Sequence, residues 1–299
     1  MNLYFLAVFG LVFTTFIWGV TFELVEESLK LIPPFIFSTI RFLIAAFCTL
    51  ILIIFKYGKI SVTRKEFIAG LVCAIFLTLG YFFQSFGLWE NIFYIKTDPN
   101  KSAFITGTSV LMVPIIMFMM GRGNNSVHLW ISIFVVLTGL LILLNPNVAD
   151  FTTGDLLTFG CSISFATHII YQGKYLIRKI NIYNFFLVQM TIATLLFFIG
   201  AFFEYQFSII ELKWNHTVLM GLSVTGFLAT FVAILIMVWA QKIVSPIQAA
   251  MIFTLEPVFA GLYNHFFTEH ILTNWGIFAG FIIVLGILYH EYMVNMDIK

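Results

Sequence analysis

Ten long apolar runs, separated by short polar connections, constrain the fold of this chain more than any other feature of its sequence. The runs cover approximately residues 3–22, 34–55, 67–89, 102–121, 127–145, 156–173, 183–203, 217–240, 247–266 and 272–290. A helix of about 18 or more apolar residues is long enough to cross about 30 Å of hydrocarbon. No soluble domain fits between the runs, so the sequence predicts an all-α integral membrane protein with ten transmembrane helices.

The composition agrees with a chain that resides in a lipid bilayer. Hydrophobic residues make up 61% of the chain and charged residues 10%, whereas soluble domains carry roughly 25% charged residues. The net charge of +1, without a stripe of Lys or Arg on any run, excludes nucleic acid as the main partner. The three cysteines, Cys48, Cys73 and Cys161, lie within apolar runs and lack metal-ligand spacing. We therefore expect buried thiols, no metal site and no cofactor.

The distribution of cations predicts the orientation. If the N-terminus is cytoplasmic, the inner connections and the C-terminal tail hold ten Lys or Arg residues, whereas the outer connections hold only Lys30, Lys96, Lys101 and Lys213. Cations accumulate on the cytoplasmic side of membrane proteins. The sequence therefore predicts a multi-pass protein of the cytoplasmic (inner) membrane with both termini in the cytoplasm.

The two halves of the chain resemble each other. STIRFLIAA at 38–46 matches FLVQMTIAT at 186–194, SVLMVPIIM at 109–117 matches IFTLEPVFA at 252–260, and three further pairs occur in the same order. Because each half has five runs, an odd number, the second half must enter the membrane from the opposite side. We therefore predict two inverted five-helix repeats, residues 1–146 and 147–299. In transporters, such repeats place the substrate site near the midplane between them.

Several short motifs make the chain resemble EamA-type members of the drug/metabolite transporter superfamily. They are a Trp-Gly pair in the first run, a proline followed by Arg-Phe in the second, a proline in the fourth and Glu-Pro in the ninth: Trp18, Gly19, Pro34, Arg41, Phe42, Pro114, Glu256 and Pro257. Glu269 matches the acid that usually follows the ninth helix in this family. The similar acid that often follows the fourth helix is absent from GRGNN at 121–125.

The resemblance implies a secondary carrier that moves a small-molecule substrate by alternating access. It favours export of an amino acid or a similar metabolite, with import or exchange of a larger metabolite, such as a nucleotide derivative, as the alternative. A proton is the candidate coupling ion. A GxxxG match at 276–280 leaves both a monomer and a homodimer open.

An intramembrane enzyme is the competing class of function. HFFTEH at 265–270 gathers His265, Glu269 and His270, but it lacks the HExxH spacing of a zinc protease. The chain also has no GxSxG motif. We therefore expect a protein that is not an enzyme.

Two charges lie well inside the apolar runs. Glu256 is ten residues after Pro246, hence about 15 Å deep. It either binds a cationic group of the substrate or carries a proton, or it satisfies backbone donors beside Pro257. Its counterpart in the first repeat is Val113, so the fold itself does not require an acid there. Arg41 either binds a carboxylate or phosphate of the substrate, or bonds to helix-end carbonyls or an acid such as Glu23.

Polar and aromatic residues of other runs are expected to form a cavity wall together with these two charges. Pro114 and Pro257 are expected to mark matching distortions of the fourth and ninth helices, since proline removes a helix hydrogen bond. The remaining candidate cavity residues are Trp18, Tyr81, Gln84, Ser85, Thr106, Ser109, His168, Gln189, Trp239, Gln248 and Thr254.

Overall fold

A computed structural model describes residues 3–89, 95–123, 126–146, 150–178, 180–207, 213–267 and 272–297. All regular secondary structure within these ranges is helical. The helices are α1 (Leu3–Leu29), α2 (Pro34–Tyr57), α3 (Arg64–Leu88), α4 (Pro99–Gly107), α5 (Ser109–Met119), α6 (Val127–Leu144), α7 (Thr153–Leu176), α8 (Ile182–Phe207), α9 (His216–Val224), a π-helical segment (Thr225–Val232), α10 (Ala233–Ala240), α11 (Pro246–Phe253), α12 (Glu256–Phe267) and α13 (Asn274–Asp297).

These helices form ten membrane-spanning segments. Eight are long and apolar enough to cross a bilayer by length and composition alone. The sixth span, α7, is 24 residues long but rich in Ser, Thr and other polar residues. The ninth span consists of α11 and α12, with an interruption at Thr254–Leu255. The expected all-α membrane fold with ten spans is therefore confirmed.

The packing of the helices reflects the inverted repeat. The second and fifth spans of each half meet their counterparts, because α2 packs against α8 and α6 packs against α13. The first span of each half is inserted into the other half, because α1 packs against α10 and α12, whereas α7 packs against α3, α4 and α5. We refer to the end of the bundle where α1 begins as the Tyr4 end, and to the end where α1 finishes as the Lys30 end.

Several spans begin with residues that also tie neighbouring helices together. Asp155 completes a capping box with Thr152 at the start of α7, and it also accepts a hydrogen bond from Lys101 Nζ at 2.9 Å. The start of α2 has no side-chain cap of its own. Instead, the Glu204 carboxylate on α8 accepts a hydrogen bond from the backbone N–H of Phe35 at 3.0 Å. These contacts satisfy amide groups that would otherwise be unpaired in the membrane.

The fourth and ninth spans are both interrupted, but at different positions relative to their prolines. The fourth span breaks at Thr108, six residues before Pro114, and Pro114 itself lies inside α5. The ninth span breaks at Thr254–Leu255, directly before Glu256 and only two residues before Pro257. The expected matching of the two distortions is therefore wrong in register. At Thr108 the side-chain hydroxyl donates to the Ile105 carbonyl at 2.5 Å, a local bond that competes with the helical pattern.

The small residues and thiols of the apolar runs serve packing within the chain. A side chain at Gly276 would meet Leu272 at 3.1 Å, and one at Gly280 would meet Val258 at 3.6 Å. The GxxxG pair therefore faces neighbours of its own bundle. Cys73 and Cys161 are buried, Cys48 is half-buried, and all three thiols are free.

Candidate functional site

A cavity of about 590 Å³ lies between the two halves of the bundle. Its wall includes residues of α1, α2, α3, α4, α7, α10, α11 and α12. The cavity extends to the Lys30 end, where the lining residues Lys30, Asp98 and Asn100 are exposed. It is therefore accessible from that end of the protein.

Most residues that the sequence analysis singled out line this cavity. They come from both halves of the chain and from spans that are distant in sequence, and the fold brings them together around one cavity. The lining residues among them are Trp18, Arg41, Tyr81, Gln84, Ser85, Thr106, Ser109, His168, Thr254, Glu256 and Pro257.

Pro114 and three of the candidate cavity residues are not among the residues that line the described cavity. Gln189 is fully buried behind His168, and its side-chain nitrogen lies 2.7 Å from His168 Nε2. Trp239 belongs to the hydrophobic packing next to Gly10 of α1. Gln248 caps the start of α11 and donates from Nε2 to the Tyr4 hydroxyl at 2.6 Å. The polar groups of these three residues predict a cavity from the sequence alone, but the residues form hydrogen bonds or packing contacts between helices.

Arg41 is held by neutral groups. Its Nε donates to the Thr230 hydroxyl at 2.6 Å and its Nη2 donates to the Tyr81 hydroxyl at 3.2 Å. The guanidinium carbon also lies 4.6 Å from the centre of the Tyr81 ring, which is a cation–π distance. Glu23 lines the cavity but forms no ion pair with Arg41. The contacts of Arg41 therefore fix its position without neutralising its charge.

Glu256 is the first residue of α12 and points into the same cavity. Among the described residues, its carboxylate has no hydrogen-bond partner and no ion-pair partner. The amides at the helix interruption are satisfied locally, since Thr254 N–H donates to the Met251 carbonyl and Leu255 N–H to the Ile252 carbonyl. The carboxylate therefore caps neither of these two amides. Arg41 and Glu256 share the cavity as two charges that do not pair with each other.

The Trp-Gly pair of the first span positions both sides of this site. Trp18 Nε1 donates to the carbonyl of Ala229 in the π-helical segment at 2.9 Å. Gly19 faces α12, and a Cβ atom at Gly19 would lie only 2.7 Å from the carbonyl oxygen of Glu256. The absence of a side chain therefore allows α1 to approach the backbone that carries Glu256.

Thr230 is a site residue that the sequence analysis did not identify. It lies in the eighth apolar run, where a threonine is indistinguishable from one that bonds to its own helix. Its role as a partner of Arg41 depends on the π-helical segment, which has no recognisable signature in the sequence. The first repeat also gives no hint, because α3, at the corresponding span, is a regular helix.

The Tyr4 end of the bundle is closed by side-chain hydrogen bonds. The Tyr4 hydroxyl donates to the Glu291 carboxylate, and Gln248 bridges to both residues. Nearby, Gln172 Nε2 donates to Gln241 Oε1 at 2.5 Å. These contacts connect α1, α11 and α13 and, separately, α7 and the residue that follows α10.

The histidine-rich segment near residue 265 is only partly described. His265 Nδ1 accepts a hydrogen bond from the backbone N–H of Leu272 at 3.2 Å, whereas Glu269 and His270 lie outside the described residues. No group of three His, Cys, Asp or Glu side chains that could hold a metal ion occurs in the described ranges.

Comparison with known proteins gives one family and several similar chains. The model of the EamA-like transporter family matches residues 5–145 and 152–290. An Archaeoglobus fulgidus protein named "Uncharacterized transporter" is 30% identical over 93% of this chain and 83% of its own length. "Uncharacterized transporter YoaV" of Bacillus subtilis is 19% identical over 95% of this chain and 96% of its own length. A solved structure titled "Crystal structure of protein" has a TM-score of 0.75 at 15% identity and covers 97% of this chain and 98% of its own.

Proposed function

Because this chain belongs to the EamA-like transporter family, we propose that it is a secondary carrier that moves an amino-acid-like zwitterion across the cytoplasmic membrane by alternating access. Arg41 binds the carboxylate of the substrate, and Glu256 binds its ammonium group. Export is the proposed direction, on the basis of the resemblance to exporters of the drug/metabolite transporter superfamily.

The observation that carries this proposal is the pair of charges that share the cavity without pairing. A charge inside a membrane protein is costly unless a partner or water compensates it. A zwitterion supplies both missing partners at once, an anionic group for Arg41 and a cationic group for Glu256. The cavity volume of about 590 Å³ also lies within the range of about 300–1,000 Å³ that is typical of small-molecule sites.

The shape of the cavity supports alternating access. The cavity reaches the surface at the Lys30 end, whereas side-chain hydrogen bonds close the Tyr4 end. With both termini in the cytoplasm, as the cation distribution predicts, this conformation is the outward-open state of the carrier. The inward-open state then requires separation of the contacts among Tyr4, Gln248 and Glu291.

The alternative substrate class, a nucleotide derivative, is less well supported. Arg41 alone would suit a phosphate group. However, the uncompensated carboxylate of Glu256 in the same cavity would repel the phosphate oxygens. An enzymatic reaction has no support beyond the partly described segment near His265.

Transport assays on charge-removing variants test the proposal. Proteoliposomes that contain the purified protein are loaded with each of the twenty standard L-amino acids in turn, and the efflux of that amino acid is measured. We expect Arg41→Gln and Glu256→Gln to reduce transport of the accepted amino acids about tenfold or more, since a hydrogen bond to a charged group contributes about 1.5–3 kcal/mol. If Glu256 also carries a coupling proton, Glu256→Gln additionally flattens the dependence of transport on pH.

Glu27→Gln is the matched control, because it removes an exposed carboxylate at the rim of the same cavity. It should retain most of the wild-type rate. Wild-type rates for Arg41→Gln and Glu256→Gln at matched membrane abundance would contradict the proposal. Absence of transport of all twenty amino acids by the wild-type protein would contradict the substrate class.

A further inference from the structure

The eighth span departs from a regular α-helix at Thr225–Val232, which forms a π-helical segment. At its end, the Ala233 N–H donates to the carbonyl of Leu228, five residues earlier. The segment packs against α1 and α2, the helices that carry Trp18 and Arg41. π-Helical turns are rare and frequently occur at functional sites.

Two side chains of α1 stabilise the wider helix. Trp18 Nε1 donates to the Ala229 carbonyl at 2.9 Å, and the Thr14 hydroxyl donates to the Ala233 carbonyl at 3.1 Å. Because irregular backbone within a membrane is tolerated only where neighbouring groups satisfy its carbonyls, these two bonds favour the π-helical geometry at this place.

The π-helical geometry determines the orientation of the Thr230 hydroxyl. This hydroxyl donates its only proton to the Thr225 carbonyl, five residues earlier, at 2.8 Å. It therefore has only lone pairs to offer to other groups, and it accepts the Arg41 Nε–H at 2.6 Å. In a regular helix a threonine hydroxyl instead bonds to a carbonyl three or four residues earlier, as Thr49 does with Ala45.

We propose that Thr230 is a positioning residue for substrate recognition. The π-helical segment orients its hydroxyl, and this hydroxyl and Tyr81 hold Arg41 from two sides, so that Nη1 is available to a carboxylate in the cavity. The inference rests on the proposed zwitterionic substrate and adds a residue that touches neither end of it. Thr230 thus determines how well the site distinguishes a carboxylate from a neutral group.

The physical reason is pre-organisation. An arginine side chain has many rotamers, and ordering it at the moment of binding weakens affinity. Thr230 and Tyr81 order the guanidinium before the substrate arrives. Loss of the Thr230 hydroxyl therefore weakens binding of molecules with a carboxylate and leaves binding through Glu256 unchanged.

The experiment compares amino acids with their carboxamides. Binding of the twenty standard L-amino acids to purified full-length protein is measured by titration, and each amino acid that binds is compared with its amide. We expect Thr230→Val to weaken binding of the acid roughly tenfold and to change binding of the amide less than about twofold, as expected for one hydrogen bond to a charged group. Thr230→Ser retains the hydroxyl and should show the wild-type preference for the acid over the amide.

Thr49→Val is the matched control. Thr49 is as fully buried as Thr230, but its hydroxyl donates to the Ala45 carbonyl of its own helix. This variant should bind both molecules as the wild type does. If Thr230→Val is not recovered as a monodisperse protein, Thr230→Ala removes the same hydroxyl without a branched side chain and takes its place.

The outcomes separate this inference from the proposed function. If the wild-type protein binds acid and amide equally, or binds none of the twenty amino acids, the zwitterion proposal itself is wrong. If the wild type prefers the acid and Thr230→Val keeps the full preference, only the role of Thr230 is overturned. An equal loss of acid and amide binding in Thr230→Val also overturns it, because that pattern indicates general damage to the fold.

Discussion

At the scale of single residues, the closest approach in the site is at Gly19. A methyl group there would lie 2.7 Å from the Glu256 carbonyl oxygen and 2.8 Å from the Phe259 Cβ atom. Both of these atoms belong to the first part of α12 and cannot move independently of the helix. Glycine at this position therefore determines the distance between α1 and the backbone that carries Glu256.

We expect Gly19→Ala to displace α12 and to lower both transport and thermal stability. Overpacking of a close contact typically costs about 1–3 kcal/mol, which is a measurable decrease in the melting temperature of the purified protein. Gly280→Ala is the control, because a Cβ atom there would make only an ordinary contact, 3.6 Å from Val258. A Gly19→Ala protein with wild-type melting and transport would show that the two helices can separate without consequence.

At the scale of helices, the interruption of the ninth span places Glu256 at a helix start. Pro257 lacks the N–H that would bond to the Phe253 carbonyl, and the chain makes a tight turn at Thr254–Leu255. Pro114 is different, because the fourth span has already broken at Thr108 and continues through the proline as α5. The two prolines should therefore respond differently to substitution.

We expect Pro257→Ala to reduce transport while maintaining or raising thermal stability, because the new N–H can repair the helix and rotate Glu256 away from the cavity. Pro114→Ala should change transport much less, since the break at Thr108 does not depend on it. Transport rates at matched abundance, together with melting temperatures, measure both effects. Equal losses of transport in the two variants would contradict this distinction.

The sequence predicted regular features of the helices better than irregular ones. Length and hydropathy of each run suffice for the ten spans, because a bilayer requires every backbone group to be satisfied within a helix. Cavity residues such as Tyr81, Gln84 and Glu256 were recognisable because a polar group in an apolar run needs a polar surrounding. The same criterion also selected Gln189 and Gln248, whose partners are other helices. The π-helical segment depends on donors from distant residues such as Trp18, which local sequence does not reveal. The break at Thr108 is accompanied by a bond of its own hydroxyl to the Ile105 carbonyl, but a threonine in an apolar run more often makes such a bond without ending the helix.

At the scale of the whole molecule, the orientation in the membrane can be tested by thiol labelling. In a background with Cys48, Cys73 and Cys161 replaced by alanine, single cysteines are introduced at Lys213, at the Lys30 end, and at Lys59, at the Tyr4 end; both positions are exposed. We expect an impermeant reagent added to whole cells to label the cysteine at 213 only, because the cation distribution predicts a cytoplasmic Tyr4 end. Labelling of the cysteine at 59 alone would indicate the opposite orientation, and the conformation with the open Lys30 end would then be inward-open.

The unpaired charges of Arg41 and Glu256 have a consequence for the kinetics of the whole carrier. If the substrate is the proposed zwitterion, an empty carrier passes through its closed state with two ions that attract each other only at longer range, whereas a loaded carrier passes through with both ions paired to the substrate. The desolvation penalty of several kcal/mol per buried ion therefore slows only the empty return step. Counter-exchange should then be faster than net efflux, so that the same amino acid supplied on the opposite side of a proteoliposome accelerates the release of the labelled one.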